Sequence, residues 1–145
     1  MKKLNELQNE LDNIRVKIDT ESKYAKLFEI VPSDVMDNDR DLEVLEHEYR
    51  LVKSERGKTT GTTIFKNSDE LIFYFLKSGI SQMVAKSPLG IGTITEERLR
   101  KIMDAEIELM KRAKPEWVNQ YKLDLEFDFS ENLKLRKRMR NMIEK

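Results

Sequence analysis

The sequence predicts an α+β protein that is predominantly helical and carries a small antiparallel β-sheet. Three observations lead there. Residues 71–76 (LIFYFL) are apolar at every position and are preceded by helix-start chemistry. A second long segment, about residues 95–114, repeats its apolar residues at helical spacing. Between them and the N-terminal segment, residues 48–65 (EYRLVKSERGKTTGTTIF) have the composition of a β-hairpin.

The first segment predicts a central helix around which the other elements pack. A surface helix confines its apolar residues to one stripe, so a run that is apolar all round must be enclosed on most sides. Asn67 precedes Glu70 by three residues, a capping-box spacing, and Asp69 and Glu70 fall in a first turn where the helix dipole favours anions. Ile80, Met83 and Val84 continue the pattern, and Gly79 interrupts helix propensity where a neighbour is expected to cross closely.

Near the N-terminus Leu4, Leu7, Leu11, Ile14 and Ile18 repeat at alternating steps of three and four, with Val16 alone off the seam. Packing within the same domain is expected, with a coiled-coil homodimer as the alternative. Pro32 then stops any helix, and SDVMDNDRD reads as an acidic loop. In the hairpin the turn is expected near Arg56, Gly57 and Lys58, with a bulge or longer loop at Gly61. SPLGIGT, with Pro88, Gly90 and Gly92, reads as a loop. The helix after it presents Leu99, Ile102, Met103, Leu109 and Met110, and ends at Pro115. Trp117, Val118 and Tyr121 are expected in or near the core. Residues 121–129 (YKLDLEFDF) alternate strictly and predict a third strand, with Ser130 capping a last helix.

The chain has 145 residues, which is most simply a single domain, 1–145, large enough to bury a core without disulfides. It contains no cysteine, which excludes thiol catalysis and cysteine-bound zinc and fits a cytoplasmic protein. No apolar stretch approaches the roughly 20 residues that span a bilayer, and no signal core follows Met1, so no membrane association is expected.

Charge balances at 27 basic and 27 acidic residues, but unevenly along the chain. Glu29, Asp34, Asp37, Asp39, Asp41, Glu43, Glu46 and Glu48 are opposed only by Arg40, whereas the tail carries Lys134, Arg136, Lys137, Arg138 and Arg140. An acidic, loop-rich face steers a positively charged protein partner, so Asp34, Asp37, Asp39, Asp41, Glu43, Glu46 and Glu48 are the candidate partner-binding residues. The alternative for that span is solvated surface. The basic tail offers a second reading, a small nucleic-acid-binding or regulatory protein.

Catalytic chemistry is thinly represented. His47 is the only histidine and lies between two glutamates, where a solvated or satisfied side chain is expected. Asp37, Asp39 and Asp41 lack the glycine and terminal glutamate of a calcium loop, so no metal and no cofactor are expected. GKTTG lacks the GxxxxGK spacing of a phosphate loop. No nucleophile, base and orienting group can be assembled; a cleft uniting Glu55, Asp69 and His47 would be needed to argue for an enzyme.

Taken in order, YRLVKSERG, Thr63, DELIFYF, ISQMVAK and ERLRKIMDAEIELMKRAKPEW resemble the Imm63 family of immunity proteins from bacterial polymorphic-toxin systems. The distinctive pieces are Glu55-Arg56-Gly57, the segment opened by Asp69 and Glu70, and the helix ending at Trp117. The resemblance implies a small cytoplasmic protein encoded beside a secreted toxin, often a nuclease, which protects its cell by binding the toxin domain and is not an enzyme. Glu55, Arg56 and Thr63 are candidates for a structural network around the turn, with Arg56 reaching Asp69 or Glu70; direct contact with the toxin is their other role. YKLDLEFDF is not matched to the family pattern.

Overall fold

A computed structural model describes residues 1–31 and 40–144. Its elements run α1 (Leu4–Arg15), β1 (Arg40–Val44), β2 (Tyr49–Glu55), β3 (Lys58–Phe65), α2 (Ser68–Ala85), α3 (Glu96–Ala113) and α4 (Val118–Glu144), with short 3-10 turns at Ala25–Phe28, Pro88–Gly90 and Pro115–Trp117. The expected α+β class, mostly helical with one small antiparallel sheet, is what forms. The chain gathers into two compact units, Met1–Gln82 and Met83–Lys145.

In the first unit the sheet has the order β1-β2-β3, antiparallel throughout. Its inner face carries the rows Leu42–Leu51–Thr63 and Val44–Tyr49–Phe65. Phe65 meets the Tyr74 ring of α2 at 5.3 Å between centroids, and Lys53 donates to the Tyr74 hydroxyl at 3.2 Å. Leu71, Ile72, Phe75, Leu76 and Ile80 of α2 are buried, as a run apolar on all sides requires. Asn67 caps α2 by accepting from the Glu70 amide at 2.9 Å, while the Glu70 carboxylate accepts from the Lys66 amide at 2.8 Å.

Leu7, Leu11 and Ile14 of α1 are buried along the expected seam; Leu4 is exposed, and Ile18 lies beyond the helix end. The segment after α1 is held by polar groups. Arg15 and Asp19 form a buried ion pair at 2.9 Å, and Asp19 also accepts from the amides of Lys23 and Tyr24, each at 2.9 Å. Gln8 donates to the Phe28 carbonyl at 3.0 Å and accepts from the Ile30 amide at 2.9 Å, so its amide group pairs with the main chain as a neighbouring strand would.

In the second unit, Thr95 caps α3 by accepting from the Arg98 amide at 3.2 Å, and α3 and α4 form a helical hairpin closed by the Pro115–Trp117 turn. Met110, Ala113 and Tyr121 are buried, together with the carboxylate-bearing Glu106. Trp117 and Val118 are half-buried.

One sequence expectation is overturned. Residues 121–129 are helical, inside α4, and Ser130 sits mid-helix rather than capping a new one. The third strand of the sheet is β1 instead. At 100° per residue Tyr121, Leu125 and Phe129 share a face, while Leu123 and Phe127 turn away and are 63% and 66% exposed. YKLDLEFDF contains no β-branched residue, and its leucines, lysine and glutamate favour the helix.

Candidate partner-binding surface

The hairpin is built on its turn. Arg56 and Gly57 have φ of 52° and 80°, the two left-handed residues of a type I′ turn, the geometry that matches the twist of paired strands. Glu55 pairs with Lys58 across it. Near the turn the register shifts so that Lys53 faces Gly61 and Ser54 faces Thr59, which leaves Thr60 as the bulge residue.

This register fixes which side chains face outward. Residues directly opposite each other share a face, so the outer face carries the rows Asp41–Val52–Thr62 and Glu43–Arg50–Ile64. Glu46 and His47 occupy the tip of the β1–β2 turn, which the Leu45 amide closes by donating to the Glu48 carbonyl at 2.9 Å. Asp41, Glu43, Glu46 and Glu48 therefore gather on β1 and its turn. Asp34, Asp37 and Asp39 lie outside the described residues.

Among the described residues of β1, its turn and the paired outer rows, the outward cation is Arg50, hydrogen-bonded to the Glu48 carboxylate at 2.7 Å. That bond, with the charges of Glu48 and Glu43, pushes the Arg50 guanidinium above its ordinary range and offsets part of the acidic field. Arg40 turns the other way. It donates to the Glu29 carbonyl at 3.1 Å and stands over the Phe75 ring at 5.7 Å. Beside Arg50, Ile64 is 57% exposed, an apolar residue that shares this face with Val52. Sequence reasoning passed over Ile64; the alternation of β3 carried the signal, but the face it points to depends on register.

The remaining candidates separate. Thr63 is half-buried on the inner row between sheet and helix. Glu55 and Arg56 are exposed, and among the described residues no hydrogen bond or ion pair links Arg56 to Asp69 or Glu70. The turn is held by main-chain geometry instead, and Glu70 is engaged with Lys66. Asp69 lends its charge to Lys2, whose ammonium is raised chiefly by its hydrogen bond to Glu10. Trp117 stacks under the Lys114 ammonium at 5.1 Å. His47 is solvated at the turn, and Glu55 stands at the other end of β2, roughly 20 Å or more away at about 3.3 Å per residue. Those two are not brought into one cleft. Among the described residues no group of His, Cys, Asp and Glu could hold a metal ion.

In the tail, Lys134 pairs with Glu131 at 3.4 Å, and Leu135, Met139 and Met142 are exposed. No helix among the described residues is long and apolar enough to cross a membrane.

The Imm63 family, described as immunity protein 63, matches residues 46–126, more than half of the chain. The chain belongs to the Imm63 family. The matched span starts at the β1–β2 turn and includes the hairpin, α2, α3 and the first part of α4, and it encloses the motifs from Tyr49 to Trp117 that carried the resemblance. Family membership assigns the chain the general role of an immunity protein. No curated protein and no solved structure matches it.

Proposed function

We propose that this immunity protein acts without catalysis, binding a cognate secreted toxin domain in the cytoplasm and covering its active site or the approach of its substrate. The contact surface is the outer face of the sheet at β1 and the β1–β2 turn. The observation that carries this reading is the convergence of Asp41, Glu43, Glu46 and Glu48 on one strand and its turn, with exposed Ile64 two strands away. An acidic field on the same face as an apolar anchor suits a cationic protein: the carboxylates speed and orient encounter, and the anchor supplies contact area. Such a partner matches the cationic groove that a nuclease needs to hold a phosphate backbone.

The test is a triple charge reversal, Glu43→Lys, Glu46→Lys and Glu48→Lys, measured against the toxin domain encoded beside this chain in a catalytically inactive form. Association is expected to slow by about 10-fold or more at low salt, with the difference shrinking as salt rises. An unchanged association rate with an unchanged salt slope would assign these carboxylates to solvated surface.

A further inference from the structure

The two edges of the sheet are guarded differently. β1, at one edge, is five residues long and carries Asp41 and Glu43. β3, at the other, runs for eight residues, and among the described residues no further strand pairs with it. Between Lys58 and Lys66 its sequence, TTGTTIF, has no charge and no proline, and four of the seven residues are the β-branched threonine. The outward amides and carbonyls of an edge strand are a template for another strand, which proteins commonly blunt with charge, proline, shortness or a bulge. Within β3 the one such device is the bulge at Thr60, whose hydroxyl donates to the Lys53 carbonyl at 3.3 Å. It lies close to the turn. From Gly61 to Phe65 the strand pairs with β2 in unbroken register, so every second residue there turns its amide and carbonyl away from β2.

Gly61 is the second observation. It is not among the glycines with positive φ, so the backbone there does not require one. The bulge residue is Thr60 beside it. An added Cβ at Gly61 would meet nothing within 4 Å, so no packing inside the chain requires a glycine either. Glycine inside a strand weakens it, and it recurs where another backbone or a ligand approaches closely. Gly61 shares the inner row with Lys53 and Arg40, at the open edge, and leaves a notch that this chain does not fill.

We propose that the open edge of β3, from Gly61 to Phe65, takes an extended segment of the toxin domain as a fourth strand, with a side chain of that segment seated over Gly61; this rests on the immunity reading and deepens it. A row of donors and acceptors at strand spacing is complementary to another extended backbone. The edge is also continuous with the face assigned to the toxin. Thr62 and Ile64 of β3 lie in the same outer rows as Asp41 and Glu43, about 10 Å away across two strand spacings. All three strands belong to one compact unit, so face and edge form a single surface. A second copy of this chain fits less well. Two β3 edges paired antiparallel about Thr62 would set Lys58 opposite Lys66 at both ends. One strand edge also falls well below the roughly 800 Å2 per partner of a stable complex, whereas edge and face together extend one interface. In this arrangement main-chain pairing contributes affinity, and the carboxylates of β1 and its turn select the partner.

The experiment follows amide hydrogen exchange in the intact chain, free and bound to a catalytically inactive form of the toxin domain that the immunity reading expects beside it. Alternate amides between Gly61 and Phe65 are expected to exchange readily in the free chain and to slow on the order of 100-fold in the complex. Gly61→Val fills the notch. Its side chain enters open space, so the thermal midpoint should not fall, while binding is expected to weaken on the order of 10-fold, as the loss of one or two main-chain hydrogen bonds would do. Unchanged exchange in a formed complex, or undiminished binding by Gly61→Val, overturns the proposal and leaves the immunity reading standing. Protection of the same amides in the chain alone, with a dimer in sedimentation, assigns the edge to a second copy and overturns it too. No binding by the intact, folded chain removes the immunity reading, and this proposal with it.

Discussion

The ring of Phe28 fills the space that any side chain on Gly79 would need. Phe28 is fully buried, and the 3-10 turn that carries it reaches α2 only because the helix has no Cβ at that point. Alanine at this position would raise intrinsic helix propensity by roughly 1 kcal/mol, yet overpacking a filled core costs about 1–3 kcal/mol. Gly79→Ala is therefore expected to lower stability in chemical denaturation. Phe28→Leu in the Gly79→Ala background should recover part of the loss, and simple additivity of the two changes would show that the two positions do not clash.

Gln8 is the second place where one side chain holds a long-range connection. Removing its amide leaves the Phe28 carbonyl and the Ile30 amide without their partner, and Gln8→Ala is expected to cost about 1–3 kcal/mol. Gln8→Glu keeps the acceptor for Ile30 but sets a carboxylate oxygen against the Phe28 carbonyl and the Asp12 carboxylate, which the Gln8 amide otherwise bonds at 3.0 and 3.2 Å, so it is expected to cost at least as much as Gln8→Ala. Urea melts of the three proteins decide the order.

At the hairpin, Arg56 adopts a left-handed conformation that suits asparagine or glycine better. With its side chain exposed, Arg56→Asn is expected to raise stability by about 1 kcal/mol. A fall in the thermal midpoint would mean that the guanidinium itself holds the turn to the rest of the unit.

Burial, and then the negative charge of Glu106, pushes the Tyr121 phenol well above its ordinary range. The raised value sets the sign. Below about pH 10 the phenol is protonated in both folded and unfolded chains, and its contribution is fully present. Above that the unfolded chain ionises first, so stability should fall by about 1.4 kcal/mol per pH unit from this group until the folded chain also ionises. Tyr121→Phe is expected to flatten that alkaline loss, measured as the difference between the two proteins at pH 8 and pH 11. Equal slopes would place the phenol in water.

The elements with a strong local signal were legible in the sequence. The run at residues 71–76 with its Asn67 cap and the Arg56-Gly57 turn each combine pattern with terminus chemistry, and each forms as read, as does the helix read from about residue 95. The close approach at Gly79 was also legible, because nothing else explains a glycine inside so apolar a helix. YKLDLEFDF misled because alternation over a few residues fits both periods when the charged residues are also good helix formers. The missing turn signal between it and the following helix, and its lack of β-branched residues, pointed the other way.

The partner surface was only half legible. The acidic composition of residues 29–48 was plain, but Asp41 and Glu43 face outward and Arg40 inward because of strand register, which depends on turn geometry rather than on composition. Ile64 joins that face for the same reason.

The most direct test of the proposed neutralisation is co-expression of this chain with the active form of the toxin domain that the proposal expects to be encoded beside it, scoring cell survival and co-purification together. Survival with a stoichiometric complex is the expected result, and survival should fail with the Glu43→Lys, Glu46→Lys and Glu48→Lys reversal. Cell death with no complex, from an intact and folded chain, would contradict neutralisation by direct binding.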